Sequence, residues 1–285
     1  MKQKKRSGQL QDIVDRMLRN RAAMLGLFIP LLLVICAIFA PYITPYAYNK
    51  QNLKARFIPP CWEHPFGTDN LGYDIFSRVI YGARISLLVG ICSVFLAAII
   101  GIVLGSIAGY YGGVFDNLLM RLMDILLAVP SLLLAISIAA TLGNGLQNLI
   151  LAIGFGAAPG YARIVRASIL SLKDQEYIEA ARSVGASDVH IIFSHILPNC
   201  MAPIIVQMTL GVATAILSTA SLSFIGLGIA PPTPEWGSML SAGRQFLRDA
   251  WWVVTFPGLA IMISIFALNL FGDGLRDALD PKLKN

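Results

Sequence analysis

The chain has 285 residues and a formal net charge of +6, from 22 Lys and Arg against 16 Asp and Glu. Charged residues make up 13% of it and hydrophobic residues 56%, with a mean hydropathy of +0.69. Soluble domains average about 25% charged residues, so these figures exclude a disordered chain, a nucleic-acid-binding domain and an ordinary cytosolic enzyme. The Lys and Arg flank apolar runs, which points to a membrane.

A bilayer core of about 30 Å needs roughly 20 apolar residues per helix. The first predicted span, 22–41, carries no charge, and neither does the second, 85–111. The third, 118–140, has Arg121 and Asp124 in its first turns, three apart, where they can pair or snorkel. A shorter fourth, 146–162, is rich in Gly and Ala, and 201–228 and 251–271 complete six. The expected fold class is an all-α, polytopic membrane protein. Lys2, Lys4, Lys5 and Arg6 precede the first span as they would in a secretory signal. A cleavable signal has only about 7–15 apolar residues, whereas this run is longer and ends in Pro41, Tyr42, Pro45 and Tyr46. It reads as a retained helix.

With both termini in the cytoplasm, the inner segments carry fifteen Lys and Arg and the outer segments seven, in line with the positive-inside rule. This divides the chain into a cytoplasmic 1–21, a first helix with outer loop over 22–84, a transmembrane core over 85–272, and a cytoplasmic tail over 273–285. The core includes an inner loop, 163–199, long for a helical bundle.

The membrane interior lacks an engine. No carboxylate or His suited to a proton relay lies at depth, with Asp124 the nearest candidate. No Gly-Lys pair occurs, so there is no Walker A motif. The only histidines, His64, His190 and His195, make no H-E-x-x-H, and a G-x-S-x-G elbow is missing. His190 and His195 are five apart, a poor spacing for one helix face, and read as surface residues rather than metal ligands. Cys36, Cys61, Cys92 and Cys200 contain no C-x-x-C and indicate neither zinc nor a disulfide framework. Gly101, Gly105 and Gly109 line one face of span two, and Gly156 and Gly160 repeat the spacing in span four. Either set allows close helix approach, within the chain or to another subunit.

The inner loop contains SLKDQEYIEAARSVGASDVHIIFSHILPN over 171–199. Residues 174–184 have helical composition, with Glu179 placed to pair with Arg182. Gly185 interrupts as a C-cap residue would, and Ser187 can cap a second short helix, 188–195, that Pro198 closes. Ala180 and Ala181 leave a shallow surface for a partner. On these residues alone, a hairpin that merely links two spans remains open.

The loop resembles the signature of permease subunits of binding-protein-dependent ABC importers: E-A-A, three residues, G, nine residues, I-x-L-P. Glu179, Ala180, Ala181, Gly185, Leu197 and Pro198 match at those spacings, while His195 stands where the pattern has Ile. Residues 64–87, 223–240 and 269–283 resemble the peptide and nickel branch of that family. Singly, their Thr68, Asp69 and Gly72 could be turn residues, Trp236, Trp251 and Trp252 an interfacial belt, and Asp273, Arg276 and Asp277 a solvated helix end.

The resemblance implies a type I ABC importer permease in a bacterial cytoplasmic (inner) membrane, and not an enzyme. It implies a homologous second permease, two ATP-binding subunits and an external solute-binding protein as partners. The loop would be the coupling helix that seats in an ATPase cleft, with Glu179, Ala180, Ala181 and Gly185 as contacts and Leu197 and Pro198 completing the coupling set. No cofactor is expected on the chain itself, ATP being bound by the partner subunits. Membrane lipid surrounds it, and no nucleic acid is expected. The cargo stays open among dipeptides, oligopeptides, glutathione and nickel chelates. A stand-alone channel or carrier, or an intramembrane enzyme, is the alternative.

Overall fold

The computed structural model describes Val14 and residues 16–279. Lys2, Lys4, Lys5 and Arg6 at one end, and Lys282, Leu283 and Lys284 at the other, lie outside the described residues, so the charge count and the resemblance at those positions have no structural counterpart.

The first helix, α1 (Arg21–Ile38), starts where the Asn20 carboxamide oxygen accepts from the backbone N–H groups of Ala22 and Ala23, at 3.1 and 3.2 Å. It lies against the last helix, α9 (Trp252–Leu279): a Cβ on Gly26 would meet Ala267 O at 2.8 Å, and one on Gly274 would overlap Ala23. The rest of α1 turns Leu25, Phe28, Leu31 and Ile35 outward, as a lipid-facing helix does.

The second helix, α2 (Ile75–Tyr111), starts ten residues before the predicted 85. The cause is a cap that hydropathy does not see. Asp74 accepts from Ser77 N at 2.7 Å and Ser77 Oγ at 2.6 Å, and its other oxygen pairs with His64 Nδ1 at 2.8 Å. Gly112 and Gly113, both at positive φ, then end it.

The third predicted span is not one helix. It divides into α3 (Gly113–Ala128) and α4 (Ser131–Leu142), bent by 89°. Pro130 has no N–H to continue the ladder, and its ring forces Val129 to ψ 130°. Nor do Arg121 and Asp124 pair. Asp124 instead takes Arg163 at 2.5 Å, and Asp116 takes Arg166 through two bonds of 2.5 and 2.6 Å. Both pairs tie α3 to α5 (Leu146–Leu172). The exposed Asp124–Arg163 pair contributes little; the half-buried, bidentate Asp116–Arg166 pair is the stronger tie.

The most extensive helix contact among the described residues is α2 on α5. A Cβ on Gly101 would overlap Tyr161, on Gly105 it would lie 2.5 Å from Ala162 O, and on Gly109 3.0 Å from Ile169 Cβ. The glycine face of span two therefore packs within the chain. The spacing in span four serves otherwise: Gly156 faces Ser131 of α4, and Gly160 meets nothing. Helix α7 (Leu197–Phe224) closes the bundle beside α2, α5 and α9. Among the described residues, five helices are long and apolar enough to span a membrane, or six if the bent pair counts as one.

Across one end of the bundle, segments 44–74 and 229–250 form a cap. Trp252 Nε1 donates to Thr68 O at 3.1 Å and Trp236 Nε1 to Val79 O at 2.9 Å. Trp236 and Trp252 are thus core residues, so that of the three expected in an interfacial belt Trp251 alone is exposed. Asp69 accepts from Leu71 N and Tyr73 N in a tight turn, and Thr68 Oγ1 bridges Ile58 N and Ala55 O. Glu235, 1% exposed, caps the short helix α8 (Trp236–Gly243) by accepting from Gly237 N and Ser238 N, both at 2.8 Å.

Candidate functional site: the helical hairpin between the fourth and fifth spans

At the opposite end from that cap, α5 runs on to Leu172 and hands over to α6 (Glu176–Ser183). This helix has few anchors. Ile178 is fully buried, while Glu176, Tyr177, Glu179, Ala180, Arg182 and Ser183 are exposed. Burying one isoleucine from water contributes about 1.5–3 kcal/mol, which holds the hairpin down but leaves its outer face free.

The turn after α6 is a Schellman motif. Ala186 N donates to Ala181 O at 3.1 Å, Gly185 N to Arg182 O at 2.9 Å, and Gly185 sits at φ +81°. A Cβ there would meet nothing, so the glycine is required by backbone conformation rather than by space. Ser187 then caps Asp188–His190 by accepting from His190 N at 3.4 Å.

Beyond this point the expected architecture fails. Pro198 does not close the second helix. Residues 188–196 run directly into α7 through a π-helical turn, Ile191–Ile196, in which Leu197 N reaches back to Ile192 O. Pro198 cannot donate to Ser194 O, and its ring would press on that carbonyl in a regular α-helix. The wider turn relieves the clash, and Asn199 Nδ2 takes up His195 O at 2.7 Å. The same turn overturns the spacing argument for the histidines: it brings the His190 and His195 rings to 5.5 Å between centroids. No third His, Cys, Asp or Glu joins them among the described residues.

The matched residues fall into two sets. Glu179, Ala180 and Gly185 are exposed on the hairpin, with Ala181 half-buried beside them. Leu197 is buried in a cluster with Ile178, Ile191, Ile196 and Ile204, and Pro198 is exposed one residue on. Leu197 therefore lies behind the hairpin, whereas Pro198 is exposed like Glu179, Ala180 and Gly185. The expected Glu179–Arg182 pair does not form. Arg182 lies over the Tyr110 ring, 5.4 Å from its centroid, and Tyr110 Oη donates to Asp188 Oδ1 at 2.7 Å. Composition gave no sign of the exposed apolar residues around the turn, Val184, Val189 and Phe193, at 84%, 63% and 65% exposure. A valine on each side of a capping glycine, in an otherwise charged hairpin, was the available signal.

A second feature lies within the bundle. A cavity of about 250 Å³ opens between α2, α4, α5 and α7, with Ser93, Ser131, Tyr161, Gln207, Thr214 and Ser218 among its lining. Every lining residue is uncharged. Tyr161 Oη donates to Gln207 O at 3.1 Å, filling the space that glycine leaves at 211.

Residues 101–285 match the model of the binding-protein-dependent transport system inner membrane component. Residues 8–60 match the N-terminal TM domain of oligopeptide transport permease C.

The chain belongs to this family of inner-membrane transport components.

The permease is 49% identical over 282 residues to a di/tripeptide transport system permease of Pseudomonas aeruginosa, covering 97% of this chain and 93% of the relative. It is 51% identical to a dipeptide transport system permease of Alkalihalophilus pseudofirmus, covering 96% and 90%. A glutathione transport system permease of Escherichia coli is 50% identical, over 94% and 89%. Among solved structures, the inward-facing MetNI methionine ABC transporter matches with a TM-score of 0.57 at 20% identity, covering 72% of this permease and 98% of that chain. That likeness establishes the ABC importer permease fold. The permease is a transport component of a binding-protein-dependent system, and not an enzyme.

Proposed function

We propose that the chain is one of two permease subunits through which short peptides enter a bacterial cell, driven by two separate ATP-binding subunits and supplied by an external solute-binding protein. The identity of about half the residues over nearly the whole length of permeases named for dipeptides, di/tripeptides and glutathione carries this reading. Those cargoes share peptide amides, which the hydroxyl and amide groups set in an uncharged, largely apolar lining can hydrogen-bond without selecting for charge. Nickel chelates, left open by the sequence, have no such support.

The hairpin is the coupling element. Glu179, Ala180, Ala181 and Gly185 would meet the ATPase, with Val184, Val189 and Phe193 adding apolar contact; Leu197 and Pro198 would hold the hairpin's shape. Both described chain ends lie on the hairpin side, since Ala23 adjoins Gly274 and Arg276 shares a groove with Asn199. The excess of Lys and Arg on that side makes it cytoplasmic. Closure of the ATPases would move the hairpin, and the spans would open the cavity alternately to each side; the ligands act by differential affinity for the two states.

Uptake of a labelled dipeptide and of nickel in a strain lacking the gene tests the cargo. Restoration of dipeptide uptake by the intact gene is expected, and restoration of nickel uptake alone would overturn it. For the coupling site, Gly185→Val should abolish uptake and ATPase co-purification while the subunit stays in the membrane. Survival of both would remove the hairpin from that role.

A further inference from the structure

We propose that Tyr110, Asp188 and Arg182 form a polar clamp that transmits movement of the hairpin to α2, making Tyr110 a positioning residue for coupled transport. This rests on the hairpin being the coupling element.

The hairpin has three connections to the bundle. Its ends are covalent, into α5 and, through the π-helical turn, into α7. Its apolar underside is Ile178, set among Ile169, Ile191 and Ile204, and a packed isoleucine resists compression without fixing direction. The third connection is directional. Tyr110 Oη donates at 2.7 Å to Asp188 Oδ1, and the Arg182 guanidinium covers the same ring at 5.4 Å. These contacts join the end of α2 to the hairpin through polar side chains. It grips both arms of the hairpin at once, Arg182 before the Gly185 turn and Asp188 after it. Bonds to a charged acceptor are roughly twice as strong as neutral ones, so the clamp can carry tension as well as contact.

What it grips is placed to use the motion. Tyr110 is the penultimate residue of α2 and 7% exposed. One residue earlier, Gly109 begins the face on which α2 lies against α5, through Gly105 and Gly101. Further along the same helix, Ser93 and Val94 line the cavity. A pull at Tyr110 therefore travels along a single rigid helix to the pathway. The covalent route into α7 passes through the π-helical turn and does not touch α2, which the clamp reaches directly.

The test uses the assembled complex in proteoliposomes with binding protein and ATP, comparing the unaltered chain, Tyr110→Phe, Asp188→Asn and the double variant. Tyr110→Phe keeps the ring under Arg182 and deletes only the hydroxyl. The expected result is unchanged subunit stoichiometry and basal ATP hydrolysis, with uptake per ATP reduced roughly tenfold or more, the scale of losing one hydrogen bond to a charged group. Asp188→Asn retains an acceptor oxygen and should lose less. The double variant should be no worse than Tyr110→Phe, because the two act through one bond. Uptake per ATP within twofold of the unaltered chain overturns the clamp. So does loss of the ATPases from Tyr110→Phe, which would make the hydroxyl a folding contact only. Failure of the unaltered chain to hold ATPases would instead refute the function proposed above.

Discussion

Gly105 and Gly160 look alike in the sequence, each one of a series four apart, yet they do opposite things. At Gly105 a side chain would press on the backbone of α5, whose Ala162 carbonyl cannot move aside. Gly105→Val should destabilise the bundle by about 1–3 kcal/mol or more, read as a lower melting temperature and poor recovery from the membrane. At Gly160 a methyl group meets nothing and enters the cavity. Gly160→Ala should leave melting nearly unchanged while altering uptake, and a large loss of stability there would deny the cavity its proposed part in the pathway.

Glu235 offers a pH signature at the same scale. Burial is the main influence on its carboxyl and raises its pKa, against the lowering effect of the Gly237 and Ser238 N–H groups. A carboxyl with a raised folded-state pKa binds its proton more tightly when folded. Its contribution to stability is therefore greatest in acid and declines as pH rises through the folded value. The melting temperature should fall as pH rises above the ordinary carboxylate range, and Glu235→Gln should flatten that fall. An unchanged slope in the variant would assign the dependence to another group.

Among the elements, periodic and apolar content made five of the spans legible, with ends wrong by up to ten residues, at the start of α2 and the end of α5. At the start of α2 and within the third span the ends are set by a side-chain cap and a proline, not by hydropathy. Asp74 starts α2 beyond the apolar stretch, and Pro130 turns an apolar run into a right-angled pair. Pro130→Ala should restore helical signal between α3 and α4, visible as slowed amide exchange at 129–131, and would straighten the pair only if packing permits. The hairpin was legible in outline because glycine and serine announce their caps. Its merger with α7 was not, because a proline reads as a stop unless a widened turn absorbs it.

For the molecule as a whole, orientation has a direct check in its own cysteines. Cys61 is exposed in the capping segment, while Cys200 is buried. A maleimide that cannot cross membranes should label Cys61 from outside intact cells lacking an outer membrane. Ala180→Cys in a Cys61→Ser background should react only after permeabilisation; the reverse pattern would invert the proposed topology. The family was legible from the hairpin and three flanking stretches. The contacts that join them, Trp252 to Thr68, Trp236 to Val79 and Tyr110 to Asp188, bring together residues at least 78 positions apart, which no local pattern reveals.

The widened turn at Ile191–Ile196 also fixes a phase. Each residue of an α-helix advances the chain by about 100° around its axis. Shortening that turn by a single residue would set Pro198 against the carbonyl four residues before it and swing everything upstream by about 100° relative to α7. Ile178 would leave its socket, and Glu179 would face a different quadrant. The hairpin's aim is thus written in the count of residues before Pro198, and a sequence altered by one deletion there could keep every matched residue and still point them at nothing.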